Sequence, residues 1–294
     1  MKQVKGKTNW IDFLNPTEAE IKKLQKDFSL HDIIVKELGE PSARARAEVL
    51  GDYVYLIYYF PVYNEKERTS KHSEIDFIIT KNTVITVHYE KIEPFEELKE
   101  NEIYKADHVF ELTYKIISSL LMFQDRQLRH IRENVEQIGE MLFKNRERKV
   151  LEEISHTKRN ISEYRVIARH QGHLLNSLAT HTGRFFGEES KVYIDDLVGD
   201  HLKIINQVED YRAAISDFED TNNQLMNIKI NEVMKTFTIM SFMTFPFVLF
   251  LTIFDMNLAS NPFHSMPFAF WPVVIVVVIG LIVMYRYFRN KKWL

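Results

Sequence analysis

The chain has 294 residues, a net charge of −3 and a mean hydropathy of −0.24. So polar an average excludes a polytopic membrane protein, and the slight acidity argues against a nucleic-acid partner. No cysteine is present, which excludes disulfides, thiol catalysis and cysteine-type zinc sites.

The first segment, MKQVKGKTNW, has no apolar signal region, so the body is expected to stay in the cytoplasm. Residues 9–14 (NWIDFL) read as a short strand. Asn15 is an expected N-cap, with Pro16 at the first helical position and Glu18 three residues after the cap. The helix that follows runs to about Phe28, and His31 to Leu38 forms a second short one. Residues 52–63, 74–80 and 83–89 are rich in β-branched and aromatic residues and read as strands. Lys81-Asn82 is expected to turn the last two into a hairpin, because Asn tolerates positive φ. Glu65 to His72 reads as a polar loop.

From about 105 to 145 the pattern becomes helical, with Leu128, Ile131, Val135, Ile138 and Leu142 at spacings of three and four. A second helix covers about 147–178 and breaks near Gly183 and Gly187, completing an antiparallel hairpin. A third keeps a seam of Ile194, Leu197, His201, Ile204, Val208, Tyr211, Ile215, Phe218, Asn222 and Leu225. No proline falls between 191 and 245, so one helix is expected from about 192 to Phe254, roughly 90 Å long. A seam of that length predicts burial against copies of the same chain, with Asn222 setting the register.

Met234 to Phe254 holds one charge, Lys235, and 268–288 is apolar but for Arg286 near its end. Each is long enough for a ~30 Å hydrocarbon slab. Two buried core helices are the soluble alternative, but two such runs side by side are rare in soluble domains. The 255–271 connector carries no Lys or Arg, whereas Lys229, Lys235, Arg286, Arg289, Lys291 and Lys292 flank the spans. Both termini should therefore be cytoplasmic, in the inner or plasma membrane, with Trp271 at the outer interface and Trp293 at the inner one.

These readings divide the chain into an N-terminal α/β cytoplasmic domain (1–102), a helical hairpin (103–190) and a stalk helix continuing into transmembrane helix 1 (191–254). An external loop (255–267), transmembrane helix 2 (268–288) and a basic tail (289–294) complete it. The fold class is an α+β cytoplasmic domain followed by long helices and two C-terminal transmembrane helices.

NEVMK at 231–235, Pro246 twelve residues beyond Met234, D-M-N at 255–257 and the terminal KKWL together resemble the CorA family of divalent-cation channels. WID at 10–12, TKN at 80–82, KRN at 158–160 and Asp195-Asp196 extend the resemblance over nearly the whole chain. It implies a membrane-bound homopentamer with a cytoplasmic funnel, with the first span of each subunit lining a central pore and Mg²⁺ as the transported ion. Co²⁺, Ni²⁺ and Zn²⁺ are the other candidates. The resemblance puts the selectivity filter at Asp255, Met256 and Asn257, with an inner ring at Asn231. Met234, Phe237 and Phe245 match apolar gate positions. Met234, Thr238, Ser241, Phe245, Val248 and Thr252 share one face of the span. Amide oxygens can hold the water shell of Mg²⁺ without trapping the ion, and narrow apolar rings block by dewetting.

Two departures stand out. Asp255 occupies the position of the family's filter glycine, and Met266-Pro267-Phe268-Ala269 lacks the acid of the family's connector. Asp255 is expected to supply the outer negative charge; alternatively, the chain is a non-conducting scaffold or sensor. The resemblance also implies regulatory Mg²⁺ between neighbouring cytoplasmic domains, at Asp195, Asp196 and Asp220 with Glu65 and Glu67. His170, His173, His181 and His264 form no convincing zinc site without nearby carboxylates. No phosphate-cradling glycine loop, H-E-x-x-H or nucleophile elbow occurs, so neither an enzyme nor an organic cofactor is expected.

Overall fold

The computed structural model describes residues 2–5, 8–42, 44–100, 106–144, 146–187, 190–255 and 270–291. It divides into two compact units, Met1–Asp220 and Thr221–Leu294. The first unit holds a six-stranded sheet in the order β1-β2-β6-β5-β4-β3. Its strands are β1 (Lys2–Lys5), β2 (Asn9–Leu14), β3 (Arg46–Leu50), β4 (Tyr53–Asn64), β5 (Thr69–Ile79) and β6 (Thr83–His88). All neighbours are antiparallel except β2 and β6, which run parallel. Helices α1 (Glu18–Phe28) and α2 (Asp32–Glu37) cover one face. The other face packs on α4 (Val109–Met141) and α5 (Glu147–Phe186). α3 (Glu93–Glu100) precedes α4.

Covering both faces explains the composition of β4. Tyr53 to Pro61 is buried without alternation, as expected of a strand with helices on both sides. Tyr55, Ile57 and Tyr59 face the α1–α2 side. Tyr58 and Phe60 face the other way, where Tyr58 accepts a hydrogen bond from Gln171 Nε2 and Phe60 meets Phe123 edge-on. The parallel β2–β6 junction is tied by side chains. Trp10 Nε1 donates to Thr86 Oγ1 at 2.9 Å, Thr86 donates to Asp12 Oδ1 at 2.7 Å, and His88 Nε2 lies 3.1 Å from the same oxygen. Two residues of the WID triplet are thus an internal brace.

Local details differ from the sequence expectation. Thr17, not Asn15, caps α1: Glu20 N donates to Thr17 Oγ1 and Thr17 N donates to Glu20 Oε2 at 2.9 Å, a reciprocal box. Asn15 instead sits at φ 47°, its N–H donating to the His88 carbonyl. The β5–β6 turn forms at Lys81-Asn82, but Asn82 is not in the left-handed region; Thr80 closes the turn with backbone and hydroxyl. Residues 69–72 are strand rather than loop, so the polar turn shrinks to 65–68. Asn64 Oδ1 accepts from the Lys66 and Glu67 amides there, and Arg68 takes φ 53°. α5 runs through Gly183 and stops at Gly187, at φ 89°. β1, β3 and α3 carried no clear sequence signal.

The long helix α6 spans Ser190–Asp255. Its residues up to Asp220 lie along the α4–α5 hairpin. Tyr193 packs against Phe110 and Tyr114, and the Tyr114 hydroxyl donates to Asp196 at 2.6 Å. A Cβ on Gly139 would meet Phe218 at 3.2 Å, and one on Gly172 would meet His201 Nε2 at 2.9 Å. Arg165 pairs with Glu209, and Lys158 with Glu219 at 2.6 Å. α6 therefore runs parallel to α4 and antiparallel to α5. Ile194, Leu197, His201, Ile204, Val208 and Ile215 are all buried within this single chain. That overturns the expectation that the seam needs other copies here: the hairpin itself supplies the partner surface.

Candidate functional site

The second unit contains the remainder of α6 and helix α7 (Phe270–Asn290). Both are long and apolar enough to cross a membrane. A Cβ on Gly280 would lie 2.6 Å from Phe247 Cε1, so the missing side chain seats the ring. Eight residues on from Gly280 is Phe288, and eight back from Phe247 is Ile239; these are the two buried apolar side chains among the described residues of the unit. That register fits an antiparallel pair.

At ~100° per residue, Ile239, Met243, Phe247 and Phe250 form one stripe of α6. They are the buried or half-buried apolar positions of that stretch. Met234, Thr238, Ser241, Phe245, Val248 and Thr252 centre about half a turn away. Every one of these, with Asn231 and Phe237, is exposed. Met234, Phe237, Phe245 and Val248 keep 57–67% of their surface, a contiguous apolar face that α7 does not cover. Thr238 Oγ1 donates to the Met234 carbonyl at 2.8 Å and Thr252 Oγ1 to the Val248 carbonyl at 2.7 Å. The hydroxyl protons are thereby satisfied on the helix itself, as an apolar medium requires. Pro246 lies inside α6 and withholds the amide that would otherwise bond the Phe242 carbonyl. Asp255 is the last residue of α6; Met256 and Asn257 fall outside the described residues, as does His264.

The expected regulatory acids do not converge on one chain. Asp195 and Asp196 are exposed near the start of α6. Hydrogen bonding to Asp196, with burial, pushes the Tyr114 hydroxyl up to about 12. Asp220 is exposed 24 residues further along, roughly 36 Å at helical rise. Glu65 is exposed in the 65–68 turn, Glu67 pairs with Lys71 at 2.6 Å, and the turn is anchored to α5 through Arg68 and Glu153. Among the described residues no three His, Asp or Glu side chains meet as metal ligands. That includes His170 and His173, both exposed on α5; the His181 side chain lies outside the description.

Two buried features escaped the sequence reading. One is the packing of His201 against the bare backbone of Gly172. The other is a pair of buried carboxyls, Glu74 and Asp76, on one face of β5. The E-x-D spacing inside an apolar strand was the available signal for the second, since residues two apart share a face.

A mixed α/β body, a helical hairpin and two helices of membrane-spanning length define the class of fold. A family described as CorA-like Mg²⁺ transporter protein matches residues 5–291, and the chain belongs to that family. The cobalt/magnesium transport protein CorA of Thermotoga maritima is 24% identical over 299 residues, covering 97% of this chain and 83% of the relative. The protein of the same description from Methanocaldococcus jannaschii is 25% identical over 293 residues, covering 97% and 91%. The complete structure of the CorA magnesium transporter from M. jannaschii superposes with a TM-score of 0.85 at 22% identity, covering all of this chain and 95% of that one. The full-length CmaX structure gives 0.67 at 15% identity, covering 97% and 89%.

Proposed function

We propose that this chain is one subunit of a homopentameric channel that passes hydrated divalent cations, Mg²⁺ foremost, across the inner or plasma membrane. The observation that carries the reading is the uncovered face of α6, from Asn231 to Thr252, turned away from α7. An apolar face in lipid has no need of a partner, but one bearing Asn231 and Ser241, with the outward lone pairs of Thr238 and Thr252, is better served by water and by copies of itself. Around an axis these residues would line the passage, with rings of Met234, Phe237 and Phe245 closing it by dewetting. Asp255, Met256 and Asn257 would form the outer filter, amide oxygens holding the ion's water shell. The relatives described as magnesium or cobalt/magnesium transport proteins support the choice of ion.

Regulation follows from the same arrangement. Asp195, Asp196, Asp220, Glu65 and Glu67 do not meet within one chain, so we assign them to the boundary between neighbouring subunits, where cytoplasmic Mg²⁺ would bridge them. Positive charge flanking both spans keeps both termini cytoplasmic.

Asp255 in the place of the family's glycine favours a second reading, a non-conducting scaffold or sensor, because five carboxylates at one mouth could hold a divalent ion too firmly. Proteoliposomes containing the full chain separate the two. Uptake of Mg²⁺, Co²⁺ or Ni²⁺ that is lost in Asn257→Ala supports the channel, and absence of uptake of every one of these ions refutes it. If Asp255→Ala leaves uptake and cation affinity unchanged, the carboxylate ring has no part in attracting the ion.

A further inference from the structure

The α2-facing side of the sheet carries an uneven set of charges at the β3–β4–β5 edge. Glu74 and Asp76 sit two apart on β5, opposite Tyr59 and Ile57 of β4. Glu74 is 5% exposed and Asp76 is fully buried. The cation of this region is Arg46 on β3, and it is engaged elsewhere. Its Nη2 donates to Glu37 of α2 at 2.5 Å and its Nε to Glu48 at 3.0 Å. The strongest charges acting on Asp76 are both negative, Glu74 and Glu37. Two adjacent carboxylates without a cation cannot both remain ionised in a dry interior.

The hydrogen bonds distinguish the two groups. Both Glu74 oxygens accept from the Ser42 amide, at 2.8 and 2.9 Å, which favours a charged Glu74. Asp76 Oδ2 accepts from the Tyr89 hydroxyl at 3.2 Å, while its Oδ1 is buried and meets no hydrogen-bond partner among the described residues. The Tyr55 hydroxyl, also fully buried and without a partner there, lies within electrostatic reach of Asp76. A bare carboxylate oxygen in that position is costly; a protonated one is not. Burial first, and the Glu74 charge second, push the Asp76 carboxyl well above the usual carboxylate range. A cavity of about 190 Å³ lined by Glu74, Tyr89, His72 and Glu90 gives solvent protons a way in.

We propose that Glu74 and Asp76 form a proton-binding site, one shared proton residing on Asp76 at neutral pH, and that this proton fixes the connector between α2 and β3 to the sheet. Ser42 in that connector is held twice by the cluster: its N–H by Glu74 and its carbonyl by the Tyr59 hydroxyl. Losing the proton leaves two facing charges beneath Ser42, and the connector loosens. Among the described residues no third His, Asp or Glu joins the pair as a metal ligand, and the ligand proposed is the proton.

The test uses the full-length protein in lipid nanodiscs. Infrared spectra across a pH titration should contain a protonated-carboxyl C=O stretch at neutral pH that bleaches as pH rises and is missing from Asp76→Asn. Hydrogen exchange at the Ser42 amide, corrected for intrinsic rate, should accelerate by up to about tenfold per pH unit through that titration in wild type and not in Asp76→Asn. Wild-type spectra alone decide the matter should the variant fail to fold. Absence of the band at neutral pH overturns the proposal, as does a band shared by wild type and Asp76→Asn. Saturable bleaching by Mg²⁺ or Co²⁺ at fixed pH would also overturn it, making the site a cation site.

Discussion

Gly172→Ala sets two known effects against each other. Alanine is favoured over glycine inside a helix by about 1 kcal/mol. Position 172, however, lies under His201, and the new Cβ would sit 2.9 Å from Nε2 and 3.4 Å from Cδ2. His201 is 4% exposed and packed in the seam of α6, so its ring has little room to move. Overpacking of this kind costs about 1–3 kcal/mol. The clash should win by about 1 kcal/mol, lowering the unfolding temperature of the 220-residue first unit by about 2–4 °C. In a His201→Ala background the ring is gone and only helix propensity remains, so the same substitution should raise the temperature instead. The double-mutant cycle, followed by intrinsic fluorescence of the purified full chain, should give a coupling of about 2 kcal/mol. Additivity of the two substitutions within about 0.5 kcal/mol, or stabilisation by Gly172→Ala alone, would refute the packing of α6 on α5 deduced here.

Burial also pushes the His201 imidazole down to about 4. The folded state therefore binds fewer protons than the unfolded chain between the two values, and stability present above pH ~6.5 is lost as pH falls toward 4. Unfolding midpoints between pH 7 and 4.5 should fall less steeply in His201→Gln than in wild type; the Glu74–Asp76 pair acts in the opposite sense and is isolated with Asp76→Asn. In the second unit, Gly280→Val forces a branched side chain into the Phe247 ring. It should reduce the thermal stability of the detergent-solubilised protein, and Phe247→Ala should recover most of the loss in the double variant. Thr17→Ala removes the α1 capping box and should cost about 1 kcal/mol by denaturant titration, with ion uptake unchanged.

Where hydrophobic pattern alone decides, the chain was readable. The strands rich in valine, isoleucine and tyrosine, the three long helices and the two membrane-length runs all follow from periodicity and composition. The misreadings arise where a neighbour decides. Asn15 and Thr17 are both good caps, and only the His88 carbonyl, distant in sequence, draws the Asn15 amide away from that task. Residues 69–72 are polar in part, yet pairing with the far end of β4 makes them strand. The seam of α6 revealed that a partner exists but not which one, since a hairpin of the same chain and a second copy present the same kind of surface. The positions proposed to line the passage came from resemblance. Periodicity adds that they share one face, and the fold adds that this face is turned from α7.

The threonines of that face carry a further consequence. Thr238 and Thr252 have each committed their single proton to a carbonyl one turn back, so what they offer outward is lone pairs. The water shell of a cation points hydrogens away from the ion, and that of an anion points oxygens. Were this face to line a passage, its threonines could receive the first kind of shell and would have nothing to give the second, a preference for one sign of charge carried without formal charge and opposed only by the donors of Asn231 and Ser241.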